Sequence, residues 1–516
     1  MKSIGISGIA CYLPPYRVGL EAWCGWTQSN WEKLRHVVGN SFRMRGHHQN
    51  VYTMAAHAAL NLIRQFDIDP RDIRYFALGT ESSTDNSAGA VIVKGILDRG
   101  LRKLGLPPIS RQCEVPEFKH ACLGGVYAMK NAARYLAYDG EGAKAIVISA
   151  DIAEYARGSS GEATQGAGAV AMLMEAQPKL LEVDLRNSGS AADYRGPDFR
   201  KPFVRFAHQQ AATNGQLRDY PVFNGQYSTN CYIDEVLEAL NDMFSKRGGD
   251  RASYLRSLTA VFFHRPYARM PETGWTMAYL LALSHGNADD HAELKQYCAK
   301  ARVNFHDVVE ELRSQHNIFS LVEQDKPNSS VFPKSLRVGR ILNRFTSFHA
   351  LADKLELGSE AMKDVGNLYT AALPAWLAAG LEEAVESNLE LVGSDILTLG
   401  YGSGDAAEAI PMRAVPGWQE YAKKIKFAQS FDGAIDLNKT QYESLHSGKQ
   451  PVDLPVNTDD EFLIKHVGQA NERDFDEEGI EYYSYNKPAE SKKAAPVSEE
   501  KPILKSVKGD WRPSRR

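Results

Sequence analysis

The chain of 516 residues has no apolar run long enough to cross a bilayer and no excess of charge of one sign. Sixty lysines and arginines face 64 aspartates and glutamates, which leaves a net charge of −4. This balance excludes a global basic field of the kind that binds nucleic acid. The six cysteines are scattered over the chain, a pattern typical of reduced thiols in a cytoplasmic protein rather than of a disulfide scaffold.

The sequence also lacks the common short motifs for nucleotides and metals. It contains no GxGxxG, GxxxxGK[ST], GxSxG or HExxH pattern and no CxxC pair. The glycine cluster at residues 400–404 has GxGxG spacing, so its support for a dinucleotide site is weak. We therefore expect neither a metal site nor a bound cofactor.

Short apolar segments alternate with helical patterns in the first 175 residues. Residues 73–78, 145–150 and 167–174 are strand-like, and residues 52–66 place apolar side chains on one helical face. Residues 4–13 are interpreted as a first strand rather than a signal peptide, because no cleavage pattern follows them. This alternation predicts an α/β protein with a buried, largely parallel sheet.

The same alternation returns in a second half. Residues 258–263 and 396–399 are strand-like, residues 368–384 have a helical pattern, and residues 280–360 are predicted to form surface helices. We therefore expect two related halves, residues 1–175 and 176–415, that face a shared site.

The C-terminal hundred residues differ from both halves. Residues 416–486 are expected to pack on the core as an extension. Residues 487–516 are rich in Lys, Pro, Ser and Ala, which predicts a disordered basic tail that serves solubility rather than specific docking.

Cys122 is the most informative candidate for nucleophilic chemistry. Residues 126, 129, 133 and 136 follow it on one helical face, so it lies at or just before a helix N-terminus. Unpaired N–H groups and the helix dipole favour a thiolate there, and Gly124 and Gly125 would let a thioester approach closely. A buried structural cysteine is the alternative, and it is the interpretation given to the other five cysteines.

A carboxylate and an imidazole end one strand in each half. Glu81 follows the strand at 73–78, where α/β enzymes keep catalytic groups, although a helix-capping acid is an equal alternative. His264 follows the strand at 258–263 and could act as an acid or base, or be a core histidine. Together with a cysteine, these groups make covalent catalysis more credible than any one alone.

Six motifs resemble those of the 3-hydroxy-3-methylglutaryl-CoA synthase family, in the same order, over residues 1 to about 415. They are GTE at 79–81, HACLGG at 120–125, DIAEYA at 151–156 with GAGAV at 166–170, FHRPY at 263–267, GNLYT at 366–370, and YGSG at 401–404.

This resemblance implies a thiolase-like five-layer αβαβα fold, a homodimer, and a Claisen-type condensation of acetyl-CoA with acetoacetyl-CoA. It implies that Cys122 carries the acetyl group, that Glu81 removes a proton from the acetyl methyl, and that His264 polarises the acetoacetyl carbonyl. It further implies a set of substrate-binding residues: Thr164, Asp198, Ser228, Arg269, Asn367, Tyr369 and Ser403.

The departures from the family pattern leave alternatives open. Leu123 replaces a tyrosine, Gln165 replaces a glycine, Arg269 replaces a lysine, and a second lysine is absent near Thr273. These changes raise a second hypothesis, a synthase that adds a β-branch to a chain on an acyl carrier protein. Further alternatives are a non-catalytic acyl-binding protein and an initiating ketoacyl synthase, which would require Cys-His-Asn in place of Glu81.

Overall fold

The computed structural model describes residues 3–83, 88–202, 220–449, 453–470 and 476–488. The strands, numbered along the chain, are β1 Ile4–Tyr12, β2 Tyr16–Gly19, β3 Ser41–Met44, β4 Ile73–Gly79, β5 Glu117–Phe118, β6 Lys144–Ala153, β7 Gly166–Ala176, β8 Leu181–Val183, β9 Gly189–Ala192, β10 Ala260–Phe263, β11 Asp395–Gly402, β12 Ala406–Ala414, β13 Ile435–Asp436, β14 Glu461–Val467 and β15 Glu481–Asn486.

The α-helices are numbered in the same way. They are α1 Leu20–Thr27, α2 Trp31–Val37, α3 Val51–Gln65, α4 Gly89–Lys103, α5 Gly124–Tyr138, α6 Gly225–Arg247, α7 Arg251–Ser257, α8 Arg269–Ser284, α9 Ala288–Ala301, α10 Phe305–Arg313, α11 Phe319–Glu323, α12 Pro333–Leu342, α13 Thr346–Ala352, α14 Ala372–Glu386, α15 Trp418–Ala422 and α16 Lys439–His446.

The main sheet has the order β10-β11-β12-β8-β1-β7-β6-β4-β5, and β9 also pairs with β12. Its parallel pairs are β4 with β5, β4 with β6, and β10 with β11, whereas the other pairs are antiparallel. The expectation of a largely parallel sheet is therefore wrong. Long helical crossovers make β4 and β6 parallel, but only twelve residues, 154–165, join β6 to its neighbour β7, and they turn the chain back.

The two halves repeat one topology, as the alternation predicts. The strand order of the first half is β1, β7, β6, β4. The corresponding order of the second half is β8 together with β9, then β12, β11, β10. In each half the last pair is parallel and the preceding pair is antiparallel. Helices α5 and α14 are also equivalent, since each directly precedes β6 or β11.

Five layers result from this repeat. Helix α3 covers the outer face of β1, β6 and β7, and α6 covers β9 and β12. Between the two half-sheets lie α5 and α14, which share a small cavity with side chains of β6, β7, β11 and β12. Both central helices are rich in Ala and Gly and have buried residues on several faces, as a helix enclosed by two sheets requires.

One predicted helix begins later than expected. The helical pattern at 368–384 becomes a 3₁₀ turn at Tyr369–Ala371 followed by α14. Tyr369 has a φ of 46°, so the chain cannot be in an α-helix before it. This break places the 366–370 motif at the start of a central helix, as Cys122 is at the start of α5.

The C-terminal segment contacts the first half at three places. Strand β13 pairs with β2, Tyr442 of α16 is fully buried, and the hairpin β14–β15 packs on α3 and α4 through Phe462 and Tyr485. Residues 489–516, which hold nearly all of the predicted basic tail, lie outside the described residues. Within the described part of the chain, no helix combines the length and apolar character needed to span a membrane.

Candidate active site

Cys122 lies just before α5, as the sequence predicts, and the adjacent glycines are needed for packing. A Cβ on Gly79 would overlap the backbone of Gly125, and a Cβ on Gly125 would overlap the Ser149 hydroxyl. The end of β4 and the start of α5 therefore touch backbone to backbone. The expectation that Gly124 and Gly125 open a path for substrate is wrong, because both glycines are buried between strands.

The Cys122 environment does not favour a thiolate. The side chain is 8% exposed, and burial raises its pKa well above the ordinary value. The negative charges of Glu81 and Asp151 raise it further. The expectation of a dipole-stabilised thiolate is therefore wrong for this structure, and the thiol needs a base before it can attack an acyl group.

Asp151 fixes the loop that carries Glu81. Its Oδ1 accepts hydrogen bonds from the Thr80 hydroxyl at 3.0 Å, the Glu81 N–H at 2.9 Å, and the Ser82 hydroxyl at 2.7 Å. Its Oδ2 accepts from the Thr370 N–H at 3.0 Å, in the other half of the molecule. One fully buried carboxylate thus links both halves at the site. In the sequence, Asp151 directly follows the strand-like run at 145–150. The hydrogen-bond partners of its carboxylate are not predicted from the sequence.

Glu81 is partly buried beside the thiol. Burial and the charge of Asp151 raise its pKa to about 8, while Lys201 and Lys119 oppose this shift. A carboxyl group with a pKa near neutrality can exchange a proton at physiological pH, which suits a general base for carbon acids.

His264 enters the same site from the second half. It directly follows β10, is 2% exposed, and packs against the ring of Tyr401 at a centroid distance of 6.2 Å. Burial lowers its pKa to about 3, so the imidazole is neutral. A neutral imidazole can donate one hydrogen bond to a carbonyl oxygen.

A cavity of about 440 Å³ joins the cysteine and the histidine. Most of its wall is apolar or aromatic, with Phe199, Phe223 and Tyr267 among the lining residues. Tyr267 ends the FHRPY motif at 263–267, whereas Phe199 and Phe223 lie in none of the six motifs. The cavity has the size and polarity of a small-molecule site.

The predicted binding residues fall into three groups. Thr164, Ser228, Asn367 and Ser403 line the cavity with Cys122 and His264. Two residues lie behind its wall: Asp198 accepts a hydrogen bond from Ser228 at 2.5 Å, and Tyr369 packs with Cys122 and Tyr155. Arg269 lines a neighbouring cavity. The structure therefore gathers these residues in one region, and substrate binding by each stays a prediction.

The neighbouring cavity measures about 310 Å³ and adjoins the first through consecutive residues of two helices. Ser228 and Met270 face the first cavity, whereas Thr229 and Arg269 face the second. Arg340 of α12 lines the second cavity as well. The sequence lacks a second lysine near Thr273, and Arg340 brings a second guanidinium to the cavity that Thr273 lines.

The other two departures from the motifs lie away from the cavity. The Leu123 side chain is fully buried against Gly400 and Gly402, so it leaves no hydroxyl in the site. Gln165 is 2% exposed and accepts from the Tyr155 N–H at 3.1 Å. It also donates to the hydroxyl of Tyr442 at 3.1 Å, which ties α16 to the active-site wall.

Comparison with known proteins agrees with this geometry. Residues 1–179 match the N-terminal part of hydroxymethylglutaryl-coenzyme A synthase, and residues 215–447 match its C-terminal part. The chain belongs to the hydroxymethylglutaryl-CoA synthase family. The motif resemblance and the thiolase-like fold are thereby confirmed.

Individual relatives of this family cover most of the chain. The hydroxymethylglutaryl-CoA synthase of Enterococcus faecalis is 27% identical over 460 residues, which is 89% of this chain and 95% of that protein. The hydroxymethylglutaryl-CoA synthase of Haloferax volcanii is 25% identical over 439 residues, 83% of this chain and 88% of that protein.

Two solved structures show the same fold. The structure of MvaS in complex with 3-hydroxy-3-methylglutaryl coenzyme A has a TM-score of 0.70 and 24% identity, and the match covers 94% of this chain and all of that one. The hydroxymethylglutaryl synthase of the curacin biosynthetic pathway, in complex with an apo donor carrier protein, has a TM-score of 0.64 and 18% identity over the same shares.

Proposed function

We propose that this chain is a hydroxymethylglutaryl-CoA synthase that condenses acetyl-CoA with acetoacetyl-CoA. The observation that carries the proposal is the single cavity in which a thiol and an imidazole meet, with Glu81 held beside the thiol. Each group comes from a different segment: Cys122 and His264 line the same cavity, and Glu81 is close enough to the thiol to raise its pKa.

The first step is acylation of Cys122. The thiol gives up its proton as the sulfur attacks the carbonyl of acetyl-CoA. The carbon–sulfur bond to CoA breaks, and CoA leaves as a thiol after it takes up the proton. The acetyl group is then a thioester, which keeps its methyl protons acidic.

The second step forms the carbon–carbon bond. Glu81 in its carboxylate form removes a methyl proton from acetyl-Cys122, and the carbanion attacks the ketone carbon of acetoacetyl-CoA. His264 donates a hydrogen bond to the ketone oxygen, which becomes the hydroxyl of the product after protonation. Water then hydrolyses the enzyme thioester, which releases 3-hydroxy-3-methylglutaryl-CoA and regenerates the thiol.

Two guanidinium groups favour CoA as the carrier of the acceptor. Arg269 and Arg340 line the cavity next to the thiol cavity, together with the hydroxyls of Thr229, Thr273 and Thr276. Arginines and hydroxyls are the side chains that bind phosphate esters, and CoA has several phosphates where a carrier protein's prosthetic arm has one. A carrier-protein acceptor is the second candidate, and a related synthase in complex with a donor carrier protein supports carrier-protein binding by this fold.

The remaining parts of the proposal follow from the same chemistry. The reaction needs no cofactor or metal, because the substrates are activated as thioesters. We place the enzyme in the cytoplasm as a homodimer with no nucleic-acid or membrane partner, and its product would serve isoprenoid supply by the mevalonate route. Light scattering on the purified chain measures the oligomeric state directly.

The activity is tested with purified protein and both CoA thioesters. The expected result is loss of acetoacetyl-CoA with formation of hydroxymethylglutaryl-CoA, identified by mass, and none with Cys122→Ser. Turnover with acetoacetyl carrier protein but not with acetoacetyl-CoA would establish the second candidate. No reaction with either acceptor would contradict both and favour a non-catalytic acyl-binding protein.

A further inference from the structure

Two carboxyl groups lie side by side behind the wall of the thiol cavity. Asp198 and Asp405 are each 3% exposed, and an oxygen of one lies within 4.8 Å of an oxygen of the other. The Oδ1 atom of Asp198 accepts from Ser228, and the Oδ1 atom of Asp405 accepts from the Tyr401 hydroxyl at 2.9 Å. Among the described residues, no N–H or O–H group donates to the Oδ2 atom of either, and the Cys231 thiol is a weak donor to Asp405.

We propose that Asp198 and Asp405 share one proton, that Asp405 is the protonated member, and that the pair therefore carries a single negative charge. Two adjacent carboxylates in a buried site repel each other strongly, so one of them takes up a proton. No N–H or O–H group among the described residues donates a hydrogen bond that would stabilise a second negative charge on either Oδ2 atom.

Arg195 does not neutralise the second charge. Arg195 Nε lies 3.9 Å from the Oδ2 atom of Asp405, which is at the outer limit of an ion pair. Its terminal nitrogens are already engaged by three other carboxylates at 2.5–3.0 Å, those of Asp193, Asp234 and Glu235. Four acids around one guanidinium leave the cluster with an excess of negative charge, which protonation relieves.

The electrostatics of the facing groups point the same way. Burial and the charge of Asp198 raise the pKa of Asp405 to about 8, and Glu235 adds to the shift. Burial raises the pKa of Asp198 to about 6, while Ser228 and Arg195 lower it. The thiol of Cys231 and the hydroxyl of Tyr401 have pKa values raised by burial, so both face the pair as neutral groups.

A divalent cation is the competing explanation for this cluster. Asp198, Cys231 and Asp405 offer three ligand atoms within 4.8 Å of one another. A cation there would lie next to the Arg195 guanidinium and would require the buried Cys231 thiol to lose its proton. Both conditions disfavour a metal, whereas a proton satisfies the pair without either.

The shared proton positions two groups of the proposed active site. An anionic Asp198 holds the hydrogen of Ser228, so the Ser228 oxygen presents only lone pairs to the cavity and accepts hydrogen bonds from substrate. Asp405 fixes Tyr401, whose ring packs on His264. Asp198 and Asp405 are thus positioning residues. This catalytic role rests on the function proposed above, but the shared proton does not.

Infrared difference spectroscopy on the wild type and Asp405→Asn tests the proton directly. A protonated carboxyl has a C=O stretch that carboxylates and amides lack. The wild type at pH 7 should show the band of one carboxyl group that is missing from Asp405→Asn, and this band should fade as the pH rises through about 8. In Asp198→Asn the band should fade at lower pH, because the repelling charge is gone. No difference between wild type and Asp405→Asn at pH 7 would overturn the proposal.

Unfolding equilibria give a second readout that does not use turnover. Between the ordinary aspartate value of 3.8 and about pH 8, folded wild type retains a proton that the unfolded chain loses, so its stability falls as the pH rises. Relative to Asp405→Asn, the unfolding constant of wild type should rise about tenfold per pH unit between pH 5 and 7, the effect of one proton. If the ratio of the wild-type unfolding constant to that of Asp405→Asn did not change with pH, the shared proton would be contradicted. A stoichiometric divalent metal in the purified protein would contradict it as well. Both results hold whether or not the enzyme condenses thioesters.

Discussion

Glu81 and His264 occupy equivalent positions in the two halves of the molecule. Glu81 comes two residues after β4 ends, and His264 comes directly after β10 ends. Strands β4 and β10 have the same place in the repeated topology, each paired in parallel with its neighbour. The corresponding strand end therefore supplies a carboxylate in one half and an imidazole in the other: His264 lines the same cavity as Cys122, and Glu81 raises the pKa of the thiol.

Asp151→Asn should separate substrate binding from carbon–carbon bond formation. An asparagine keeps one acceptor oxygen, but its NH2 group is a donor and would face the donating groups of Ser82 or Thr370. We expect kcat to fall about 100-fold through misplacement of Glu81, with little change in KM. Asp290→Asn, another buried aspartate that lies outside the cavity, is the matched control. Equal kcat losses in the two variants would refute the positioning role.

The pH dependence of the condensation step should report Glu81. The base works as a carboxylate, and its raised pKa of about 8 keeps it largely protonated below that pH. The rate of condensation should therefore increase about tenfold per pH unit up to about pH 8. Enzyme acetylated beforehand and mixed rapidly with acetoacetyl-CoA isolates this step. A rate that is flat from pH 6 to 8 would exclude Glu81 as the base.

Glu81→Ala gives the complementary result. The variant should still become acetylated on Cys122, because Glu81 acts as the base after acyl transfer, but it should form no product. Intact mass with and without acetoacetyl-CoA measures both outcomes. An unlabelled Cys122 in this variant would show that Glu81 acts in the acylation step.

Arg340→Ala should weaken binding of CoA thioesters through loss of a phosphate contact. We expect KM for acetoacetyl-CoA to rise about tenfold, equivalent to about 1.4 kcal/mol, with kcat unchanged. KM for the pantetheine thioester, which lacks the phosphates, should not change. Arg337→Ala is the control, because Arg337 is exposed on the same helix but does not line the cavity. A parallel rise for both thioesters would contradict the phosphate contact.

Gln165→Ala should affect stability more than chemistry. The change leaves the Tyr155 N–H and the Tyr442 hydroxyl with one partner fewer in a buried site. We expect the free energy of unfolding to fall by about 2–4 kcal/mol, with Cys122 still acetylated. Gln441→Ala, which removes only part of a helix cap on α16, should cost about 1 kcal/mol. If a denaturant titration showed equal losses in the free energy of unfolding for Gln165→Ala and Gln441→Ala, the proposed link from Gln165 to Tyr155 and Tyr442 would be refuted.

The sequence predicted the parts of the site that depend on local pattern. The apolar periodicity located the start of α5 and the ends of β4 and β10, and therefore the neighbourhoods of Cys122, Glu81 and His264. The family resemblance also named hydroxyl and amide groups that line the cavity, of which Asn367 and Ser403 belong to motifs. These features are encoded within a few residues, so a single sequence reveals them.

The features that the sequence did not predict depend on contacts between distant segments. The pKa of Cys122 is set by burial and by carboxylates 29 to 41 residues away, which overcome the helix terminus. The role of Asp151 depends on Thr370, which only the pairing of the halves brings close. Strand direction between β6 and β7 follows from the short connection rather than from composition.

The location of the acetyl group during the reaction tests the account most directly. Purified protein is mixed with acetyl-CoA alone, its intact mass is measured, and peptide mapping locates the modification before acetoacetyl-CoA is added. The account predicts one acetyl group on Cys122, absent from Cys122→Ser, which disappears on addition of acetoacetyl-CoA as one equivalent of hydroxymethylglutaryl-CoA forms. An acetyl group on another residue, or undiminished condensation by Cys122→Ser, would contradict it.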